Sequence, residues 1–137
     1  MSNPAVFATA SYYLALVNPR DPLHVRAVSL SEVLAEPVVT SAWVLQQLAD
    51  ALASPPARAG FLHLLDTLAA DPHTTIVEPD PNLWRRGLVL YRARPDRRWS
   101  LTDCLTFEIM RERGITRALT GDPCFEQAGF MALLMPE

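Results

Sequence analysis

The feature that most constrains this chain is an alternation. Through most of the chain, short apolar runs are separated by segments with helical spacing. Ala5-Val6-Phe7-Ala8, the β-branched Val38-Val39-Thr40 bounded by Pro37, and Thr74 to Val77 each read as a buried strand. Strands joined through helices of about ten or more residues cannot pair as hairpins, so they imply a mostly parallel sheet covered on both faces. The expected fold class is therefore α/β, a three-layer α/β/α sandwich. In such sheets ligands bind at the carboxyl ends of the strands.

The helical segments are marked by their ends. Ser11 can cap a helix from Tyr12 to about Val17, which stops at Asn18-Pro19. A second helix follows Pro22, carries Val25, Val28, Leu30, Val33 and Leu34, and ends at Glu36-Pro37. Ser41 begins a third with Trp43, Val44, Leu48 and Leu52, and Phe61 to Leu68 mark a fourth that closes at Asp71-Pro72. Asp80-Pro81 opens a fifth with Leu83, Leu88, Leu90 and Tyr91 expected inward, before a charged loop from Arg92 to Trp99. Ser100-Leu101-Thr102-Asp103 has the form of a capping box, and Gly114 suits a left-handed C-terminal cap, so the best-defined helix spans Leu101 to Arg113. Strands are then expected at Arg117 to Thr120 and at Phe130 to Leu134, with a turn at Gly121-Asp122.

With 137 residues, half of them apolar, the chain can bury a core without disulfides, and one domain over residues 1–137 is expected. A net charge of -3 excludes a global basic field, so any nucleic-acid contact must be local. All the basic residues are Arg. Cys104 and Cys124 lack CxxC spacing, and no charged-then-apolar export signal opens the chain, so a cytoplasmic location is expected. No apolar run is long enough to cross a bilayer. His24, His63 and His73 show no ligand spacing, and no HExxH, GxSxG, Walker or GxGxxG pattern occurs, which leaves zinc-hydrolase, serine-hydrolase and nucleotide-binding readings without support.

The residues at the strand ends carry a resemblance. Val6-Phe7-Ala8-Thr9-Ala10-Ser11, Val39-Thr40-Ser41-Ala42-Trp43, Trp99-Ser100-Leu101-Thr102-Asp103-Cys104, Leu119-Thr120-Gly121-Asp122 and Phe125-Glu126-Gln127-Ala128-Gly129-Phe130 follow one another in an order and spacing similar to the PIN-domain family, of the VapC-like toxin type. The resemblance spans essentially the whole chain and is most specific in its C-terminal third. It implies a metal-dependent endoribonuclease scaffold, in which four acidic residues hold Mg²⁺ or Mn²⁺ for phosphodiester hydrolysis. It also implies RNA as substrate or ligand, an antitoxin-like protein partner and a homodimer.

Carried over position by position, the resemblance puts the first acid at Thr9 and the second at Ala42, neither of which ionises, and the third and fourth at Asp103 and Asp122. The expected catalytic and metal-binding residues are thus Asp103 and Asp122, with Thr9 and Ala42 as degenerate positions. Two aspartates carry half the charge of two divalent ions, and Mg²⁺ is held mainly by carboxylates, water and phosphate, so a weak or absent ion is expected. Two functional outcomes stand side by side: an impaired scaffold that binds RNA or protein, and a ribonuclease that works with a reduced site. No substitute ligand is evident. Asp50 lies about 12 Å down its helix from Ala42 at a rise of about 1.5 Å per residue, and neither Glu108 nor Glu126 replaces a lost acid.

Each surviving acid also has a local structural role open to it. Asp103 can accept amide protons in the first turn of its helix, and Asp122 suits a turn. Arg85, Arg86, Arg92, Arg94, Arg97 and Arg98, interleaved with Trp84, Tyr91 and Trp99, can either grip RNA through phosphate forks and base stacking or form a solvated face. Arg94, Arg97 and Arg98 are the expected RNA contacts, because they lead into Asp103.

Overall fold

The computed structural model describes residues 3–135. Within them β1 (Asn3–Ala8), β2 (Val38–Ser41), β3 (Thr74–Val77), β4 (Ile115–Leu119) and β5 (Met131–Ala132) form one sheet in the order β3-β2-β1-β4-β5. Every neighbouring pair is parallel. The connections carry α1 (Ala10–Val17), α2 (His24–Val33), α3 (Ala42–Ala51), α4 (Ala57–Ala70), α5 (Pro81–Ala93), α6 (Leu101–Arg113) and α7 (Cys124–Gln127). This is the α/β sandwich that the alternation predicts.

β1 lies at the centre of the sheet, so Ala5 to Ala8 are all buried instead of alternating in and out, as expected of a strand with helices on both faces. Strand order runs from β1 through β2 to β3 on one side, then crosses back to β4 and β5 on the other. That reversal opens a crevice outside the carboxyl ends of β1 and β4. The register sets Ala8 opposite Leu119, so Thr9 and Thr120 leave the two strands side by side.

α6 forms where its caps place it. The Ser100 hydroxyl accepts from the Asp103 amide at 3.0 Å, the Asp103 carboxylate accepts from the Ser100 amide at 2.9 Å, and Gly114 takes the left-handed conformation at φ 68°. The helix is buried on most of its surface, and Phe107 packs against Trp99, Phe125 and Phe130 at centroid distances of 5.1, 4.9 and 5.6 Å. α5 lies close against it because Gly87 has no side chain: a Cβ there would sit 2.5 Å from Leu105 Cδ2. Arg86 adds ion pairs across the same seam, to Glu108 at 3.8 Å and Glu112 at 3.2 Å.

Several expectations need correction. Helical spacing locates α2, yet only Ala27 is buried there, and Val25 and Val33 are exposed. Tyr91, expected inward, is also exposed, because α5 turns only Leu83 and Gly87 fully into the core. β4 starts at Ile115, two residues earlier than predicted. β5 is only two residues long, although the amides of Leu133 and Leu134 continue to bond Ala118 and Thr120. α7 was not anticipated; it is a single turn following Pro123. Among the described residues, no helix is long and apolar enough to cross a membrane.

Candidate functional site

A cleft of about 400 Å³ occupies the crevice, lined by Thr9, Ala10, Ser11, Leu14, Gln47, Ala51, Ser100, Asp103, Thr120, Asp122 and Phe125. β1 and β4 deliver Thr9 and Thr120, the first turn of α6 delivers Asp103, and the loop after β4 delivers Asp122. Ligand atoms of Asp103, Asp122 and Cys124 all lie within 4.8 Å of one another. The two acids expected from the sequence are therefore brought together, with a thiol beside them.

Both carboxylates are half-committed to backbone. Asp103 Oδ2 accepts the Ser100 amide, and Asp122 Oδ1 accepts the Cys124 amide at 2.9 Å. Asp122 also takes the hydrogen bond of the Cys124 thiol. Burial raises the Asp103 carboxyl above the ordinary aspartate range; the Ser100 amide pulls it back, and the nearby Asp122 charge pushes it further up. The Cys124 thiol is pushed up to about 11 by burial, by its hydrogen bond to Asp122 and by both carboxylate charges, so it is protonated at neutral pH.

The other half of the cleft is neutral. The Thr9 hydroxyl donates to Leu119 O at 2.8 Å, which leaves its lone pairs for Ser11 Oγ at 2.9 Å. Ser11 in turn stands 3.4 Å from Thr120 Oγ1, and Thr120 Oγ1 accepts the Asp122 amide at 3.1 Å. Since Thr9 spends its proton on Leu119, the chain runs from Thr120 through Ser11 and Thr9 to a main-chain carbonyl. A carboxylate at position 9 would instead face that carbonyl oxygen without a proton to give.

The structure does not bring Ala42 into the cleft. It is the first residue of α3, where Ser41 caps the helix by accepting the Val44 amide at 3.1 Å. Gln47 and Ala51, one turn apart on the same helix, line the cleft instead. Gln47, a further neutral residue of the lining, has the shape of Glu without the charge. Sequence reasoning missed it because the search along α3 was for an ionisable group near the helix start; the helical period from Ala51 back to Gln47 was the available signal. Asp50 and Glu126 lie outside the cleft lining, and Glu108 is engaged with Arg86 and Arg111.

The three expected RNA contacts differ in freedom. Arg94 is held by Asp96 through two hydrogen bonds of 3.1 and 3.0 Å, and its guanidinium lies 5.3 Å from the Trp99 ring centroid. Arg97 is 3.9 Å from the same carboxylate and 5.8 Å from the same ring. Arg97 and Arg98 line a second groove with Asp122, Pro123, Cys124 and Gln127. Trp99, buried and bonded through Nε1 to Gln127, has no face free for a base. The basic groove and the acidic cleft therefore meet at Asp122.

A divalent cation needs anionic oxygen here, and the donor set supplies little. Two carboxylates are too few to neutralise a pair of magnesium ions, and the remaining close donor is sulfur, which Mg²⁺ does not favour. The residues present do not fit a two-ion magnesium centre.

A parallel sheet in this order, with helices on both faces, is an α/β sandwich of PIN-like fold. The fold is that of the VapC-like PIN domain. VapC20 from Mycobacterium tuberculosis, a toxin that cleaves the sarcin-ricin loop, is similar with a TM-score of 0.85 at 24% identity, over 92% of this chain and 96% of that one. FitAcB from Neisseria gonorrhoeae is similar with a TM-score of 0.63 at 16% identity, over 93% of this chain and 94% of that one. No family model and no curated protein matches the sequence itself.

Proposed function

We propose that this protein uses a VapC-like PIN scaffold to bind RNA without efficient phosphodiester hydrolysis. The observation that carries the reading is the lining of the cleft, where the acids Asp103 and Asp122 are accompanied by the neutral Thr9 and Gln47. Arg97 and Arg98 supply a local cationic surface next to Asp122, in keeping with a chain whose overall charge is negative. VapC20 acts on a structured RNA loop, which makes structured RNA the class to test first. The toxin-type fold further implies an antitoxin-like protein partner and a homodimer, and exposed apolar residues on α2 and α5 (Val25, Val33, Trp84, Val89) support such contacts.

The chain's own residues hold the cleft in a binding posture. Ser100 and the Cys124 amide orient the two aspartates, and the hydroxyl chain from Thr120 to Leu119 fixes the neutral wall. No group is placed to activate a water without a cation. A second reading, a ribonuclease working with one ion on Asp103 and Asp122, draws support from the proximity of the two carboxylates, since a cation would relieve their repulsion.

A nuclease assay with Mg²⁺ and Mn²⁺ titration separates the readings. Wild type and Asp103→Ala are expected to be equally inactive on structured RNA, while Thr9→Asp combined with Gln47→Glu is expected to create metal-dependent cleavage. Cleavage by wild type that disappears in Asp103→Ala would establish the second reading instead. Binding of RNA by wild type is expected to weaken steeply with salt and to fall in Arg97→Ala and Arg98→Ala.

A further inference from the structure

We propose that an apolar slot beside the cleft receives one unpaired nucleobase of a bound RNA, while a neighbouring phosphate of the same strand lies on Arg97 and Arg98. The proposal rests on the RNA-binding reading above and names the element of RNA that this surface takes. The slot, of about 400 Å³, lies between the ends of α1 and α3 and the start of α4, and is walled by Leu14, Val17, Leu52, Ala57 and Gly60.

The slot is continuous with the surface already described. It shares Leu14 and Ala51 with the cleft, and the cleft shares Asp122 with the basic groove, so the cleft lies between the other two. A strand laid along this track meets apolar surface at one end, carboxylates in the middle and guanidinium groups at the other. Phosphate is repelled from the middle by Asp103 and Asp122 and drawn to the basic end, where the buried Nε of Arg97 has no hydrogen-bond partner among the described residues. That end offers no stacking surface, since Arg94 and Arg97 lie against the Trp99 ring. Backbone therefore goes to the basic end and the base to the apolar one.

Gly60 is what keeps the slot open. It lies one turn inside α4, and its backbone does not need a glycine, because positive φ among the described residues is confined to Gly114 and Gly129. A glycine inside a helix is destabilising relative to alanine. Packing does not require it either: a Cβ at Gly60 would meet no atom within 4 Å, whereas one at Gly87 would strike Leu105. What the missing side chain leaves is room in the slot. Asn18 is the one polar side chain of the lining, and its Oδ1 already accepts the Arg20 amide at 3.1 Å. The slot thus selects by shape and apolar contact, which favours a base splayed out of a loop over one held in a stacked helix.

The test is fluorescence anisotropy of the full chain with a labelled RNA stem-loop whose loop is unpaired adenines, the same RNA with one loop base at a time removed to leave an abasic sugar, and a blunt duplex of the stem. Wild type is expected to bind the stem-loop at least about tenfold more tightly than the duplex, and to lose about fivefold when one particular loop base is removed. Gly60→Leu, which fills the slot with a better helix former, is expected to bind the intact loop about fivefold more weakly and to show no further loss with the abasic RNA. Gly60→Ala, which favours the helix but adds a single carbon, is expected to stay within about twofold of wild type. The abasic series on wild type keeps the test independent of how any variant folds. Equal binding of intact and abasic loops at every position overturns the proposal, as does an equal abasic penalty in wild type and Gly60→Leu, or duplex bound as tightly as loop. Failure of wild type to bind any of these RNAs at low salt would instead sink the RNA-binding reading on which the proposal rests.

Discussion

The two walls of the cleft were assembled differently. On the acidic wall each carboxylate also closes a local backbone motif: Asp103 completes the capping box of α6, and Asp122 accepts the amide of Cys124 at the start of α7. On the neutral wall, Thr9 satisfies its hydroxyl on Leu119 O, and Gln47 sits exposed in mid-helix with no such duty. Both acids thus serve the backbone as well as the cleft. The presence of Asp103 and Asp122 in the cleft is therefore not by itself evidence for catalysis.

The largest test of this contrast lies beneath the acidic wall. Phe107 is fully buried and contacts Trp99, Phe125 and Phe130, which flank both acid-bearing segments. Phe107→Ala is expected to cost about 3–5 kcal/mol in urea unfolding and to loosen the Asp103–Asp122 pair, while leaving the Thr9 chain in place. Next in size, Ser100→Ala removes one bond of the capping box and is expected to cost about 1 kcal/mol. The same loss from Asp103→Ala would show that the carboxylate is kept for the helix; no loss at all would break the comparison.

The smallest effect has the opposite sign. Because burial holds the Asp103 carboxyl above its unfolded value, the neutral form is favoured in the folded protein. The associated stability is fully present at acid pH and is lost as pH rises through the folded pKa. Asp103→Asn, which keeps the acceptor for the Ser100 amide but carries no charge, is expected to raise the Tm slightly at pH 7. That gain should vanish at a pH below the ordinary aspartate range, where wild type is itself neutral. A gain unchanged by pH would mean that charge is not the cause.

How legible these features were in the sequence depended on how local their causes are. α6 could be bounded to the residue because its start and stop are written in adjacent side chains, Ser100 with Asp103 and then Gly114. The parallel sheet followed from connection lengths, whereas the choice of Asp103 and Asp122 came from the resemblance to the PIN-domain family. β5 was overestimated because Phe130 to Leu134 is apolar throughout, and only the tertiary setting limits its pairing to Met131 and Ala132. Gln47 was missed because its relation to Thr9 arises from the docking of α3 on the sheet, and a neutral side chain gives a search for acids nothing to find. The pairing of Arg94 with Asp96, two residues away, was not legible because it depends on the turn the loop takes.

The run of hydroxyls from Thr120 through Ser11 and Thr9 ends on the main chain, at the Leu119 carbonyl, and not in the open cleft. Replacing Thr9 therefore removes the donor to that carbonyl and the partner of Ser11 in one step. The neutral side of the cleft behaves as a single tethered unit whose members move together.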